Sequence, residues 1–295
     1  MTFQTWIKRT LRSIQEILSS KNITAALGTI SSTLKDLGYS LKVNAKKKAW
    51  KNHPMRNEQY EYISDMINFF SETGKPIVSI DTKKKEKIGA FKNDGTSWQK
   101  ESLETYDHDF PIYSEGTMIP FGIYDISKNN GMIYAGTSKE TPKFIVDSLV
   151  EWWLDIGKFY YPDSNEILIL CDGGGANGSK RYAWKWEIQK QLANKLGLIV
   201  TICHYPPYTS KWNPIEHRLF SQISNSWSGI PLYTYDLALD FIKKTKTKTG
   251  LRVGAKLVTE DYKNDEKIKK EQLKDLLMFN HKICPNWNYT FHPQL

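Results

Sequence analysis

The spacing of apolar residues changes period at Gly74. Ahead of that glycine the spacing is helical. Trp6, Ile7, Leu11, Ile14, Ile17 and Leu18 fall near a 3.6-residue period and predict a helix over residues 3–19. A break at Ser19 to Asn22 follows. Ile23 to Leu27 and Thr29 to Leu37 then predict two short helices separated at Gly28, the second stopped at Gly38. Residues 44–54, with Lys46, Lys47, Lys48 and Lys51, are too polar for a core and read as a linker or a strap against phosphates. A longer helix over 56–73 carries Tyr60, Ile63, Met66, Ile67, Phe69 and Phe70 as its apolar stripe.

Beyond Gly74 the apolar runs shorten. Pro76 to Ile80 predicts a strand that runs directly into Asp81, and residues 86–115 are polar and punctuated by glycine, as in a long loop. Residues 117–125 and 132–136 flank Asn130-Gly131, a hairpin signal. Thr141 caps a helix reaching about Gly157. Ile167 to Cys171 are apolar without interruption, too short for a helix and too uniform for a half-exposed strand, which predicts a strand covered on both faces. Asp172 stands at its carboxyl end. A helix over 179–196 and a second buried strand, Leu198 to Cys203, follow, and the loop HYPPYTSKW leads to Asn213.

This order, a strand, two hairpin strands and two helix–strand units, predicts an α/β fold with a five-stranded mixed sheet flanked by helices. It is the order of the ribonuclease H-like fold. The first and fourth strands become parallel neighbours, so Asp81 and Asp172 meet at their carboxyl ends, where open α/β sheets bind ligands. Glu216 lies in the first turn of the next helix, near the same edge. Three converging carboxylates repel one another unless a divalent cation joins them, and hard oxygen ligands suit Mg²⁺ or Mn²⁺. Each acid also fits a plainer role. Asp81 and Asp172 suit turns, and Asn213, Pro214 and Glu216 resemble a helix cap. His204 and His217 read as packing or hydrogen-bonding residues rather than ligands.

Composition then narrows the partner. The net charge is +9, and residues 1–60 hold eleven Lys or Arg against Glu16, Asp36 and Glu58. The remainder of the chain is nearly neutral. A basic segment beside a neutral body predicts a polyanion partner, most often nucleic acid, with a solvated face as the plain alternative. The expected domains are a basic, helix-turn-helix-like segment over 1–55 and a catalytic domain with a C-terminal extension over 56–295. No apolar run approaches the length of a membrane span and no signal peptide is evident, which predicts a cytoplasmic protein without a membrane partner. Cys171, Cys203 and Cys284 lack CxxC spacing and are expected to be reduced thiols, without disulfides or zinc.

The glycines after Asp172 invite two other readings. Gly173, Gly175 and Gly178 satisfy G-x-G-x-x-G, but the next strand ends without the acid a ribose would need. The same run approaches a phosphate-binding P-loop, except that Ser179 and Lys180 are exchanged.

VSIDTKKKE (78–86), HDF (108–110), DGGGANGSKR (172–181) and HYPPYTSKWNPIEHRLF (204–220) resemble the DDE-type transposases of bacterial insertion sequences, in particular the ISAzo-type family. GIPLYTYD (229–236), TKTGLRV (247–253) and NWNYTFHP (286–293) continue the likeness. The resemblance implies a ribonuclease H-like catalytic domain that uses two divalent ions, Mg²⁺ or Mn²⁺, to cut element ends and join them to target DNA. It implies Asp81, Asp172 and Glu216 as the catalytic, metal-holding acids. Lys83, Lys85, Lys211 and Arg218 lie in matching stretches and are read, with Lys46, Lys47 and Lys48, as DNA contacts or charge partners. A homo-oligomer on DNA, associated with the nucleoid, is the expected working state. Family members run longer ahead of Gly38, so a shortened arm with weakened recognition of element ends is expected. A DNA-binding remnant without catalysis and a nuclease without strand transfer are the alternatives.

Overall fold

Residues Ile77–Thr82 (β1) lie at the middle of the sheet because both of their faces are covered. Val78 and Ile80 enter one core, Ile77 enters another, and all three are at most 1% exposed. The computed structural model describes residues 9–41, 53–207, 209, 212–263 and 268–294. The chain divides into two compact units, residues 1–50 and 51–295.

In the first unit two helices are described, α1 (Leu11–Ser20) and α2 (Leu27–Asp36). Thr10 caps α1 by accepting from the Ser13 N–H at 3.1 Å. The expected start of that helix, residues 3–8, lies outside the described residues, as do Lys46, Lys47 and Lys48. The two short helices expected around Gly28 are one. Gly28 sits in the first turn of α2, where backbone N–H groups have no partner within the helix in any case, while residues 23–26 stay non-helical.

The second unit opens with α3 (Arg56–Glu72) and β1, followed by β2 (Glu86–Ile88), β3 (Gly116–Asp125) and β4 (Asn130–Gly136). The hairpin turn is Ile126 to Asn129, and Asn129 takes the left-handed conformation. Asn130-Gly131, expected at the turn, instead begins β4. Helix α4 (Pro142–Trp152), capped by Thr141, widens into a π-helical stretch at Trp153–Gly157 and ends in α5 (Lys158–Tyr160). Next come β5 (Glu166–Cys171), α6 (Tyr182–Glu187) with a π-helical continuation over Ile188–Asn194, and β6 (Ile199–His204). A π-helical turn, Glu216–Phe220, runs into α7 (Ser221–Ser226), and α8 (Tyr235–Lys244) follows. The chain then adds β7 (Arg252–Val258), β8 (Met278–Asn280) and β9 (Asn288–Phe291).

The five expected strands form the centre in the order β4-β3-β1-β5-β6, with β1 parallel to β5 and β5 parallel to β6. This is a ribonuclease H-like sheet. It is broader than five strands, because β7 joins β4 in parallel, β9 and β8 extend the β6 edge, and β2 pairs with β3, making nine among the described residues. Helices α4 and α6 cover one face, through Phe144, Leu149, Trp152 and Trp184. On the other face α3 packs through Ile63 and Phe70, and Ile215, Leu219, Phe220 and α8 fill a separate core.

Candidate active site

Side chains alternate between sheet faces, so Ile77, Ser79 and Asp81 of β1 share one face, and Leu168, Leu170 and Asp172 share the same face at β5. The register pairs Ile80 with Cys171, which puts Asp81 and Asp172 side by side as the next position on each strand. Glu216 reaches them from the helix laid across this face.

Two features bring that helix close. The first is the absence of side chains. Gly122 lies directly opposite Asp81 on β3, and a Cβ there would stand 2.6 Å from Phe220 and 2.9 Å from Ile215. A Cβ at Gly131 of β4 would stand 2.5 Å from Leu219. The second feature is a buried polar clasp. The Ser79 hydroxyl donates to Asn213 Oδ1 and accepts from the Ile215 N–H at 3.3 Å, and Asn213 Nδ2 donates to the Ile80 carbonyl at 3.5 Å. Ser79 and Asn213 are both fully buried. Asn213 stands directly ahead of the helix that begins at Pro214, as the capping alternative has it, and its carbonyl accepts from the Glu216 N–H at 3.1 Å, but its side chain turns into the sheet and makes no cap. The one sign of this clasp in the sequence is a serine inside an apolar strand, which the pattern of apolar residues does not explain.

The carboxylates perturb one another. Burial, the neighbouring charge of Asp172 and the bond to Glu216 push the Asp81 carboxyl up to about 8, against a bond from the Thr82 N–H at 2.8 Å. Burial likewise raises Asp172 and Glu216. Asp81 thus keeps a proton near neutral pH and shares it with Glu216. Beneath Asp172, burial lowers His204 to about 4, so its ring is neutral. Cys171 and Cys203 are buried free thiols.

The basic residues separate by environment. Lys83 is largely buried, paired with Glu86 and 4.8 Å from the centre of the Trp227 ring, where its charge also favours ionised Glu216. It is a charge partner inside the fold. Lys85 is half exposed, 3.9 Å from Glu140, and Arg218 is exposed on the helix that bears Glu216. Lys211 lies outside the described residues. Beside the glycine loop a pocket of about 810 Å³ is lined by Gly173, Gly174, Lys180, Arg181, His53 and Trp287. In sequence Lys180 suggested only a P-loop residue, and Arg181 and Trp287 carried no signal of a site.

The family model described as the Rhodopirellula transposase DDE domain (ISAZ013) matches residues 1–293. The chain belongs to this family. It is a DNA transposase, a metal-dependent polynucleotidyl transferase and endonuclease of a kind that uses divalent metal ions. No protein of curated function matches it. Among solved structures, the Mos1 transposase paired-end complex with left transposon end is similar at a TM-score of 0.47 and 11% identity, over 80% of this chain and 70% of that one. The Mos1 strand transfer complex gives 0.48 and 10%, over 82% and 71%. The catalytic domain of Mos1 mariner transposase gives 0.40 and 12%, over 64% and 78%.

The donor set of the transposase fits a hard divalent cation. Three carboxylates gather on one face, and the proton retained by Asp81 supplies positive charge that a cation would supply in its stead. Among the described residues no three His, Cys, Asp or Glu side chains are close enough to grip an ion as they stand. Asp172 is the outlying member. It acts on Asp81 and Glu216 through its charge, while its carboxylate takes a long 3.4 Å bond from the Gly174 N–H.

Proposed function

We propose that Asp81, Asp172 and Glu216 are the catalytic acids and that this transposase cleaves phosphodiesters at the ends of its element and joins the freed 3′-hydroxyl to target DNA. The observation that supports this most is the convergence of the three acids from β1, the end of β5 and the clasped helix, with Asp81 holding a proton shared with Glu216. Asp81 and Asp172 would hold one divalent ion, Mg²⁺ or Mn²⁺, and Glu216 would complete a second. When bound, two such ions activate the attacking oxygen and offset charge on the leaving oxygen.

The protein's own part is placement. The clasp between Ser79 and Asn213 fixes Glu216 relative to Asp81, and Gly173 to Gly175 leave room for a DNA backbone beside Asp172. Lys85, Arg218, Lys180 and Arg181 are exposed cations around the site that suit phosphate contacts. Lys46, Lys47, Lys48 and Lys211 extend the same role in sequence. Water attacks the phosphodiester at the element boundary, and the 3′-hydroxyl released then attacks the target strand in line. The enzyme works as a homo-oligomer on DNA, in the cytoplasm at the nucleoid.

The deciding experiment incubates the protein and Mn²⁺ or Mg²⁺ with labelled element-end DNA and a target plasmid. Joined products support strand transfer. Cut products alone indicate a nuclease, and neither product indicates a DNA-binding remnant. Asp172→Asn should abolish cleavage while preserving fold and DNA binding; retained cleavage refutes the assignment of the acids.

A further inference from the structure

Asp172 stands where the strand ladder stops and the glycines begin. The last β5–β6 pair is Cys171 with His204, and the Tyr205 N–H donates to the Cys171 carbonyl at 2.8 Å. The Asp172 carbonyl takes its hydrogen bond from a side chain instead: His204 Nδ1 lies 2.8 Å from it. A carbonyl only accepts, so Nδ1 must carry the ring hydrogen. Nε2 is then an acceptor, and Tyr289 Oη, 2.8 Å away, donates to it. Trp184 Nε1 in turn donates to Tyr289 Oη at 3.2 Å. The Cys171 sulfur, 3.3 Å from Nδ1, is a weak second acceptor for the same hydrogen.

Every hydrogen in this chain is thereby assigned, and Trp184, His204 and Tyr289 are all fully buried. The main chain of His204 is fixed independently. Its carbonyl accepts from Gln59 Nε2 at 2.8 Å, and Gln59 exchanges two 2.7 Å bonds with Asn288. The histidine is thus a rigid donor aimed at a single peptide. Three consecutive glycines follow Asp172, and glycine leaves the backbone free to rotate.

We infer that His204, with its tautomer set by Tyr289 and Trp184, is the positioning residue for Asp172. It fixes the peptide between Asp172 and Gly173, and with it the backbone position from which the Asp172 carboxylate acts on Asp81, at the one point where the sequence would otherwise leave the backbone loose. This rests on the reading of Asp172 as a metal-holding acid.

The test uses the full chain with ¹⁵N-labelled histidine rings, thermal unfolding, and Mn²⁺ binding followed by the paramagnetic resonance of the free ion. In the wild type the ring signal that disappears on His204→Asn should be that of the neutral Nδ1–H tautomer; an Nε2–H tautomer overturns the inference. His204→Leu removes the donor and should weaken Mn²⁺ binding about tenfold, the lower end for supporting residues of metal sites. His204→Asn places an amide N–H where Nδ1 was and should restore affinity to within about threefold of the wild type, although both variants melt at lower temperature. Tyr289→Phe, nearly isosteric, should mix the two tautomers and weaken binding by an intermediate factor, and it decides the matter if the His204 variants do not fold. Mn²⁺ affinity that simply follows melting temperature across the set, or that none of these variants changes, refutes positioning. Asp172→Asn separates the two readings. Wild-type binding in that variant refutes the metal-site reading, whereas weakened binding there with wild-type binding in His204→Leu refutes only the role of His204.

Discussion

Asp81→Asn should stabilise the metal-free transposase at neutral and alkaline pH. Asp81 is raised from 3.8 to about 8 in the folded protein, so between those values the folded state holds a proton that the unfolded chain has released. Stability therefore falls as pH rises through that window, and the penalty is complete above about pH 8. At about 1.4 kcal/mol per pH unit, the loss by pH 7 is roughly 4 kcal/mol as an upper figure. Asparagine keeps an acceptor for the Thr82 N–H and a donor for Glu216, but carries no charge. For a folded unit of this size each kcal/mol moves the melting temperature by about 2–4 °C, so the variant should melt up to roughly 8–16 °C above the wild type at pH 7 in EDTA. The difference should shrink as pH approaches 4, where both chains are neutral at this position. Added Mn²⁺ should raise the wild type and leave the variant nearly unmoved. Differential scanning fluorimetry across pH 4–9, with EDTA or Mn²⁺, gives all of these values. A variant that melts at or below the wild type at pH 8 in EDTA refutes the account of the site's electrostatics.

Three further outcomes are expected. Asn213→Ala strands the Ser79 hydroxyl and the Ile80 carbonyl in the core, and should cost about 1–3 kcal/mol in urea unfolding, with a larger proportional loss of cleavage because Glu216 loses its anchor. Gly122→Ala drives a methyl group into Phe220 and Ile215 and should cost about 1–3 kcal/mol; a neutral result would show that the helix has room to retreat. Replacing Lys46, Lys47 and Lys48 with Gln should weaken DNA binding across all sequences and flatten its dependence on salt, by about 0.9 in the log–log slope for each duplex phosphate that is no longer neutralised.

The central strands were legible because a strand buried on both faces leaves an unbroken apolar run, as at Ile167 to Cys171; Asp81 and Asp172 stand out as candidates because they follow such runs, whereas Glu216 opens a helix. What escaped the sequence depends on partners far along the chain. Ser79 looked like a tolerated polar residue until Asn213, 134 positions later, proved to be its partner. Gly122 and Gly131 have no local signature, because the reason for each is a side chain on another element. Asn130-Gly131 was misplaced since Gly131 is set by the approach of Leu219 and the turn itself is made by Ile126 to Asn129. Strands β8 and β9 are three and four residues long, too short for a period to register, and they exist because β6 offers an edge to pair with.

That late pairing bears on how the enzyme comes into being at the ribosome. By the time Phe220 is synthesised, Asp81, Asp172 and Glu216 are all present in the growing polypeptide. The strand that closes the β6 edge is still to come, and Tyr289 lies 85 residues beyond His204. Until it arrives, β6 is an open edge, Gln59 lacks Asn288, and the floor under Asp172 is unfinished. A nascent chain therefore carries the complete set of acids well before it carries a settled site, and a chain interrupted between residues 220 and 288 would contain all three acids without the strand that completes their support.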